Sequence, residues 1–271
     1  MKVGLFNKRI WDEYSKIVSI FCGIVSFIVI FIDIPTAHRF KIGLSLLIIL
    51  IIPFFILLAR ANFITENTVV INNTKFVIKF GDLFSEQGLK TIAFNEYFDT
   101  LVDETLISSN TINGKFIKTK VSNVSQLDDM ITNNIECKKN IISFNENRTN
   151  GKKAKYKLGT SIRFEEYILF AFSRFDENNR AYLNLDDYLS CLTNYWIEVN
   201  RIYNGENVII PLLGTGITRL TCGNSISHQK ALEIIIKTFE YSNLNFAHSF
   251  QITLVLPKEL KSEINLFNLE I

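Results

Sequence analysis

Val208-Ile209-Ile210-Pro211-Leu212-Leu213-Gly214-Thr215-Gly216-Ile217-Thr218-Arg219-Leu220 is the stretch from which the rest of the chain can be placed. An apolar, β-branched run suited to a buried parallel strand stops at a proline, two glycines flank a threonine, and an apolar-periodic segment opens soon after. A strand, a Gly-Thr-Gly turn and a helix bring backbone N–H groups toward one point. An anion can be held there, provided nothing bulkier than glycine blocks the approach. The same pattern also suits an ordinary strand-to-helix turn whose glycines only permit the bend. Both readings are open at this point.

Outward from this stretch, Asp186–Tyr203 has helical spacing, with Asp186 or Asp187 near its start and Gly205 just past its end. Ser227–Tyr241 predicts a second helix, and Phe250–Leu256 a last strand ended by Pro257. Upstream, residues 68–80 read as two strands around Asn72-Asn73. Lys90–Phe94 reads as a short buried strand, and Ser161–Phe164 and Tyr167–Ser173 as further strands. Ser125–Ile135 has the pattern of a short amphipathic helix, and Cys137–Lys157 is a charged, Asn-rich surface insertion. Strands alternating with helices in this way predict a three-layer α/β domain. Asn95, Glu96, Asp99 and Thr100 follow a strand end directly, where open α/β sheets place ligands.

The first sixty residues are different in kind. Ile17–Ile32 and Ile42–Ala59 are uncharged apolar runs separated by a short polar segment containing Pro35. They predict a transmembrane helical hairpin over 1–62, with spans at about 17–34 and 42–59. Lys2, Lys8, Arg9 and Lys16 precede the first run and Arg60 follows the second. This bias predicts that both termini, and everything from residue 63 to 271, lie in the cytoplasm. Ser15, Ser19 and Gly23 form a small-residue stripe suited to packing on the second helix or to association between copies. Pro53 is placed to kink the second span.

Residues 1–62 carry seven Lys and Arg against three Asp and Glu, leaving 22 of the 29 basic and 24 of the 27 acidic residues beyond them. That part is slightly acidic without a basic stripe, which argues against nucleic acid as a partner. Cys22, Cys137, Cys191 and Cys222 are scattered. The sequence therefore predicts neither a metal site nor a disulfide framework, and no cofactor.

Two motifs resemble those of macro domains. Val77-Ile-Lys-Phe-Gly81-Asp82-Leu83-Phe84, a linker and Ile92-Ala-Phe-Asn95 resemble the family's opening strand, Gly-Asp-Ile/Leu, second strand and asparagine. Pro211-Leu-Leu-Gly-Thr-Gly216 resembles its second phosphate-binding loop, so the likeness covers roughly residues 68–258. More closely, Phe94-Asn-Glu-Tyr-Phe-Asp-Thr100, Asn113-Gly-Lys-Phe116, Leu158-Gly-Thr160 and the Gly-Thr-Gly loop occur in a telling order. That order is similar to a bacterial branch with two membrane helices before a macro-like domain, resembling the effectors of Thoeris-type antiphage systems.

The resemblance implies a three-layer, macro-domain-like mixed sheet flanked by helices, with ADP-ribose or a derivative as ligand. Asp82 would accept the adenine amino group, or else cap a turn. Asn95 would lie near the distal ribose, or else stabilise the strand end. Asp99, Asn113 and Gly114 would line the same cleft. Leu213, Gly214, Thr215, Gly216, Ile217 and Thr218 would wrap the diphosphate, and Arg219 would add charge or stand solvated. Two features depart from the family. The first loop, Ser108–Lys115, holds a single glycine, and the second asparagine has no counterpart, since Asp99 sits one position too far. Those elements position the ribose and water in hydrolytic members, so the departures favour binding without catalysis. By the same resemblance, a TIR-domain enzyme would make the signal from NAD as a histidine–ADP-ribose conjugate. Binding would drive homo-oligomerisation and damage to the lipid bilayer at the bacterial inner membrane. The rival expectation is a membrane-tethered ADP-ribosyl hydrolase, and the plainest is a scaffold with a decayed pocket.

Overall fold

The computed structural model describes residues 3–214, 219–220, 226–244, 246, 250–267 and 269. Two compact units emerge. One comprises residues 1–65 together with Ser262–Leu269, and the other is made chiefly of Glu66–Lys261. Its chain therefore returns to the first unit after leaving the second.

The first unit is built on helices α1 (Lys8–Val29) and α2 (Thr36–Phe63). Asn7 caps α1, its side chain accepting from the Ile10 N–H. Tyr14 donates to the Leu50 carbonyl at 3.1 Å, and the rings of Trp11 and Tyr14 lie 5.0 and 5.5 Å from Phe54. These contacts hold the helices side by side. Among the described residues, α2 alone is long and apolar enough to cross a membrane. The start of α1 is charged, with Lys8, Arg9, Asp12, Glu13 and Lys16. It also ends at Val29, short of the predicted 34: Phe31 N–H turns back to the Ile28 carbonyl, and Pro35 starts the next helix.

The second unit is a mixed sheet between helices. Its strands are β1 (Glu66–Ile71), β2 (Thr74–Phe80), β3 (Leu89–Asn95), β4 (Ile141–Phe144), β5 (Ala154–Tyr156), β6 (Ser161–Phe164), β7 (Tyr167–Phe175), β8 (Ala181–Leu183), β9 (Val208–Pro211), β10 (Arg219–Leu220) and β11 (Gln251–Leu256). Among the described residues, the main sheet has the order β1-β2-β11-β9-β3-β7-β8-β10, with β6 also paired to β7, while β4 and β5 form a separate hairpin. The five inner strands β2, β11, β9, β3 and β7 are mutually parallel. Asn72 and Asn73, at φ 48° and 59°, make the tight turn that returns β1 antiparallel onto β2.

Helices α3 (Ile112–Lys120), α4 (Val124–Asn133) and α5 (Ile135–Lys139) cover one face, and α6 (Leu185–Ile202) and α7 (His228–Tyr241) the other. On the first face Ile92 and Phe94 of β3 pack in one cluster with Phe116, Leu127 and Cys137. On the second, Trp196 of α6 lies 4.9 Å from Phe239 of α7 and 6.4 Å from Phe76 of β2, ring to ring. Each such aromatic pair adds roughly 0.5–1.5 kcal/mol beyond its burial. The alternation of β3 side chains between the two faces is what requires both layers.

Candidate functional site

Because the inner strands run in one direction, their carboxyl ends gather at one edge of the sheet, the edge where such folds bind ligands. The β3–β9 ladder is confined to the amino ends of the two strands, pairing Leu89 with Val208 and Lys90 with Ile209. Beyond these pairs the two strands lead into loops that diverge, one toward α3 and β7, the other toward α7 and β11. This is a topological switch point. Asn95 closes one side of it and Pro211–Gly214 the other.

On the β9 side, Leu212 and Leu213 are buried, and the Leu213 carbonyl accepts from the Tyr188 hydroxyl of α6 at 3.0 Å. Gly214 follows at φ +83°, a conformation that β-branched residues resist, so the chain needs glycine to make this exit. Thr215, Gly216, Ile217 and Thr218, named from the sequence as diphosphate ligands, lie outside the described residues. Arg219 lies on β10, opposite Tyr182 of β8.

On the β3 side the polar residues are engaged with one another. Asn95 is buried; its Oδ1 accepts from the N–H groups of Tyr97 and Asp99, and its Nδ2 donates to Asp99 Oδ2 at 2.9 Å. Asp99 is fully buried. Its carboxylate accepts from the two terminal guanidinium nitrogens of Arg148, at 3.0 and 2.6 Å, and from the Lys152 N–H at 2.8 Å. Arg148 also lies 3.9 Å over the ring of Tyr97. Lys152 Nζ donates to the Phe98 carbonyl and pairs with Asp128 of α4, both at 2.6 Å. Burial pulls the Lys152 pKa below the usual lysine range, an effect its contacts with Asp128 partly offset.

Glu96, also fully buried, pairs with Lys155 at 3.3 Å and accepts from the Phe175 N–H. Its other oxygen lies 3.6 Å from Arg174. Arg174 in turn grips Asp187 in the first turn of α6 with two bonds, at 2.7 and 2.9 Å, and this holds the Asp187 carboxyl below its ordinary pKa. The insertion carrying β4 and β5 is thus strapped across the exit of β3. Arg148, Lys152 and Arg174 were not singled out as site residues from the sequence, and Glu96 only as part of the polar run after the strand end. Arg148 lies 49 residues from Asp99 and has no local pattern to mark it.

Asp82 is exposed and caps the 3-10 turn Leu83–Ser85, accepting from the Phe84 N–H at 3.2 Å. Asn113 and Gly114 stand in the first turn of α3, which Thr111 caps by accepting from the Gly114 N–H at 2.9 Å. A Cβ on Gly114 would collide with the Ser108 carbonyl, so glycine lets the preceding loop fold onto the helix start. The structure therefore brings Asn95 and Asp99 into direct contact and places Asp82, Leu213 and Gly214 after parallel strands at the same sheet edge. Asn113 and Gly114 sit at a helix start.

No group of three or more metal-ligating side chains occurs among the described residues. Burial pushes the Cys137 thiol up to about 12, unlike a nucleophile. A groove of about 410 Å³ beside Thr100, Ile117 and Val124 is walled mostly by apolar side chains and lacks the clustered donors a diphosphate needs.

The profile of the family described as "Thoeris protein ThsA, Macro domain" matches residues 76–257. A curated relative, the Thoeris protein ThsA of Bacillus amyloliquefaciens, is 37% identical over 258 residues, covering 91% of this chain and 84% of the relative. Among solved structures, a mutant of the Oceanobacillus iheyensis macrodomain aligns with a TM-score of 0.47 at 12% identity, over 73% of this chain and 93% of that one. The same macrodomain with MES bound gives 0.46 at 12%, over 72% and 90%.

Proposed function

This chain belongs to the Thoeris ThsA macro-domain family, and on that premise we propose that it is a membrane-anchored effector that senses an ADP-ribose-derived signal. The observation that carries the reading is the switch point between β3 and β9, with Gly214 held at φ +83° at its rim. A diphosphate seated there would meet backbone rather than side chains. The adenosine end would extend along the sheet edge toward Asp82, and the distal ribose toward the exit of β3.

In this proposal the protein binds without turnover. Asn95 and Asp99, which would otherwise be candidates for handling a ribose or a water, are committed to each other and to Arg148. The signal is a histidine–ADP-ribose conjugate supplied by a TIR-domain partner. The two helices form a transmembrane hairpin in the bacterial inner membrane with both termini in the cytoplasm. The apolar face of α2, with Phe55 and Ile56 exposed, supports a lipid contact, as do Ile20 and Phe27 of α1. Ligand binding then favours homo-oligomers that disrupt the bilayer, which requires the ligand to prefer the associated state.

The test is incubation of the full chain in lipid vesicles with the histidine–ADP-ribose conjugate, followed by chromatography of the nucleotide and measurement of dye release. Intact nucleotide with dye release is expected. Cleaved nucleotide would turn the proposal toward a membrane-tethered ADP-ribosyl hydrolase, and absence of binding would remove it.

A further inference from the structure

Residues 262–269 follow β11 in the chain, yet they belong to the helix unit. We propose that this segment is a strap: it holds α1 and α2 together at the end where α1 begins and α2 finishes, and ligand binding loosens it. The loosening step rests on the proposed function above; the strap itself rests on contacts.

Phe267 is buried in a cluster with Val3 and Ile10 from one side and Leu57, Leu58 and Ala61 of α2 from the other. The helices cannot separate or rotate there without uncovering its ring. Arg9 on α1 donates to the Phe267 carbonyl at 2.6 Å and the Leu269 carbonyl at 3.3 Å, and its guanidinium lies 5.0 Å over the Phe267 ring. An arginine in the first turn opposes the helix macrodipole, and its 3.7 Å pair with Glu13 one turn on is a weak, half-exposed offset. Its bonds to two main-chain carbonyls of the strap are the stronger contacts it makes. Asn62 adds a second closure, accepting from the Val3 N–H at 3.1 Å and donating to the Val3 carbonyl at 3.3 Å.

The strap is also a short covalent continuation of the candidate site. Val255, next to the end of β11, is paired in register with Pro211, the last residue of β9 before the loop to Gly214. A shift of that loop reaches β11 across one rung of the sheet. From there the chain runs through Pro257 and the 3-10 turn Lys258–Ser262 into the strap. If ligand favours the loosened state, linkage requires the converse: a protein whose strap is already broken must bind ligand more tightly.

The experiment uses the full chain in lipid vesicles, with Arg9→Ala as the lead variant, since Arg9 is half exposed, and Phe267→Ala as the second. Neither residue belongs to the nucleotide site. The affinity for the histidine–ADP-ribose conjugate is expected to rise about threefold to tenfold in both variants. Unchanged or weaker binding in the variants, with wild-type binding intact, would overturn the strap. Should the wild-type protein bind no ADP-ribose derivative, the proposed function fails and a second readout decides on the strap. Backbone hydrogen exchange across Lys8–Trp11 and Leu57–Asn62 should then be at least about tenfold faster in the variants. Equal exchange rates would overturn it.

Discussion

Gly151 stands against Asp99 so closely that a Cβ on the glycine would lie 2.6 Å from the carboxylate Oδ1. The glycine also sits at φ +84°. The carboxylate is therefore reached by the Lys152 N–H and the Arg148 guanidinium only because the chain between them has no side chain at this point. This one approach fastens the β4–β5 insertion to the turn that leaves β3.

Gly151→Ala should consequently destabilise the α/β unit by about 2 kcal/mol or more, from strained backbone and displacement of a buried ion pair together. Thermal unfolding checks this. Arg148→Met should cost more, about 3–5 kcal/mol, because it leaves the Asp99 carboxylate buried without its cation. Adding Asp99→Asn to Arg148→Met should recover part of that loss.

Acid should act through Asp187. Its folded pKa is depressed, chiefly by the hydrogen bonds from Arg174, so the unfolded chain binds the proton more readily. The stability it contributes is present above the ordinary aspartate pKa and is lost as pH falls through the depressed folded value. Asp187→Asn should lower stability at pH 7 by about 1 kcal/mol for this partly exposed pair. It should also flatten the acid side of the stability curve, as urea titrations across pH 2–7 would reveal.

Gly214→Val should eliminate nucleotide binding while leaving the α/β unit folded. The β-branched residue resists φ +83° and fills the space a phosphate would take. Calorimetric titration and circular dichroism together check both halves. Wild-type affinity in the variant would remove this loop from the site.

A fragment of residues 66–261 should be soluble and monomeric. One extended to 271 should associate, because Phe267, buried against the helices in the full chain, would lose that cover. Sedimentation of the two fragments at matched concentration decides this.

Most of the sheet was legible because buried strands announce themselves by β-branched runs, and Asn72-Asn73 and Gly205 mark their turn and helix end directly. Helix α3 was not. Its first turn carries Asn113 and Gly114, poor helix formers, and the helix persists because Phe116 and Ile117 are buried against the sheet rather than by propensity. Asn95 and Asp99 stood out in the sequence as polar residues beyond a strand end, and the structure joins them to each other. Their actual partner, Arg148, sits in a stretch with the composition of a surface loop, and no spacing rule joins residues so far apart. The strap was equally hidden, since Ile264, Leu266 and Phe267 form too short an apolar pattern to indicate what they cover.

The contact between Arg9 and Phe267 spans 258 residues of chain. At ribosomal speeds of about 5–20 residues per second, Arg9 emerges on the order of ten to fifty seconds before its partner is made. Both helices are complete for most of that interval, since α2 ends at Phe63. The helix pair is therefore born without this clasp and acquires it only late in synthesis, so a prematurely terminated chain would keep the helices and lack the clasp.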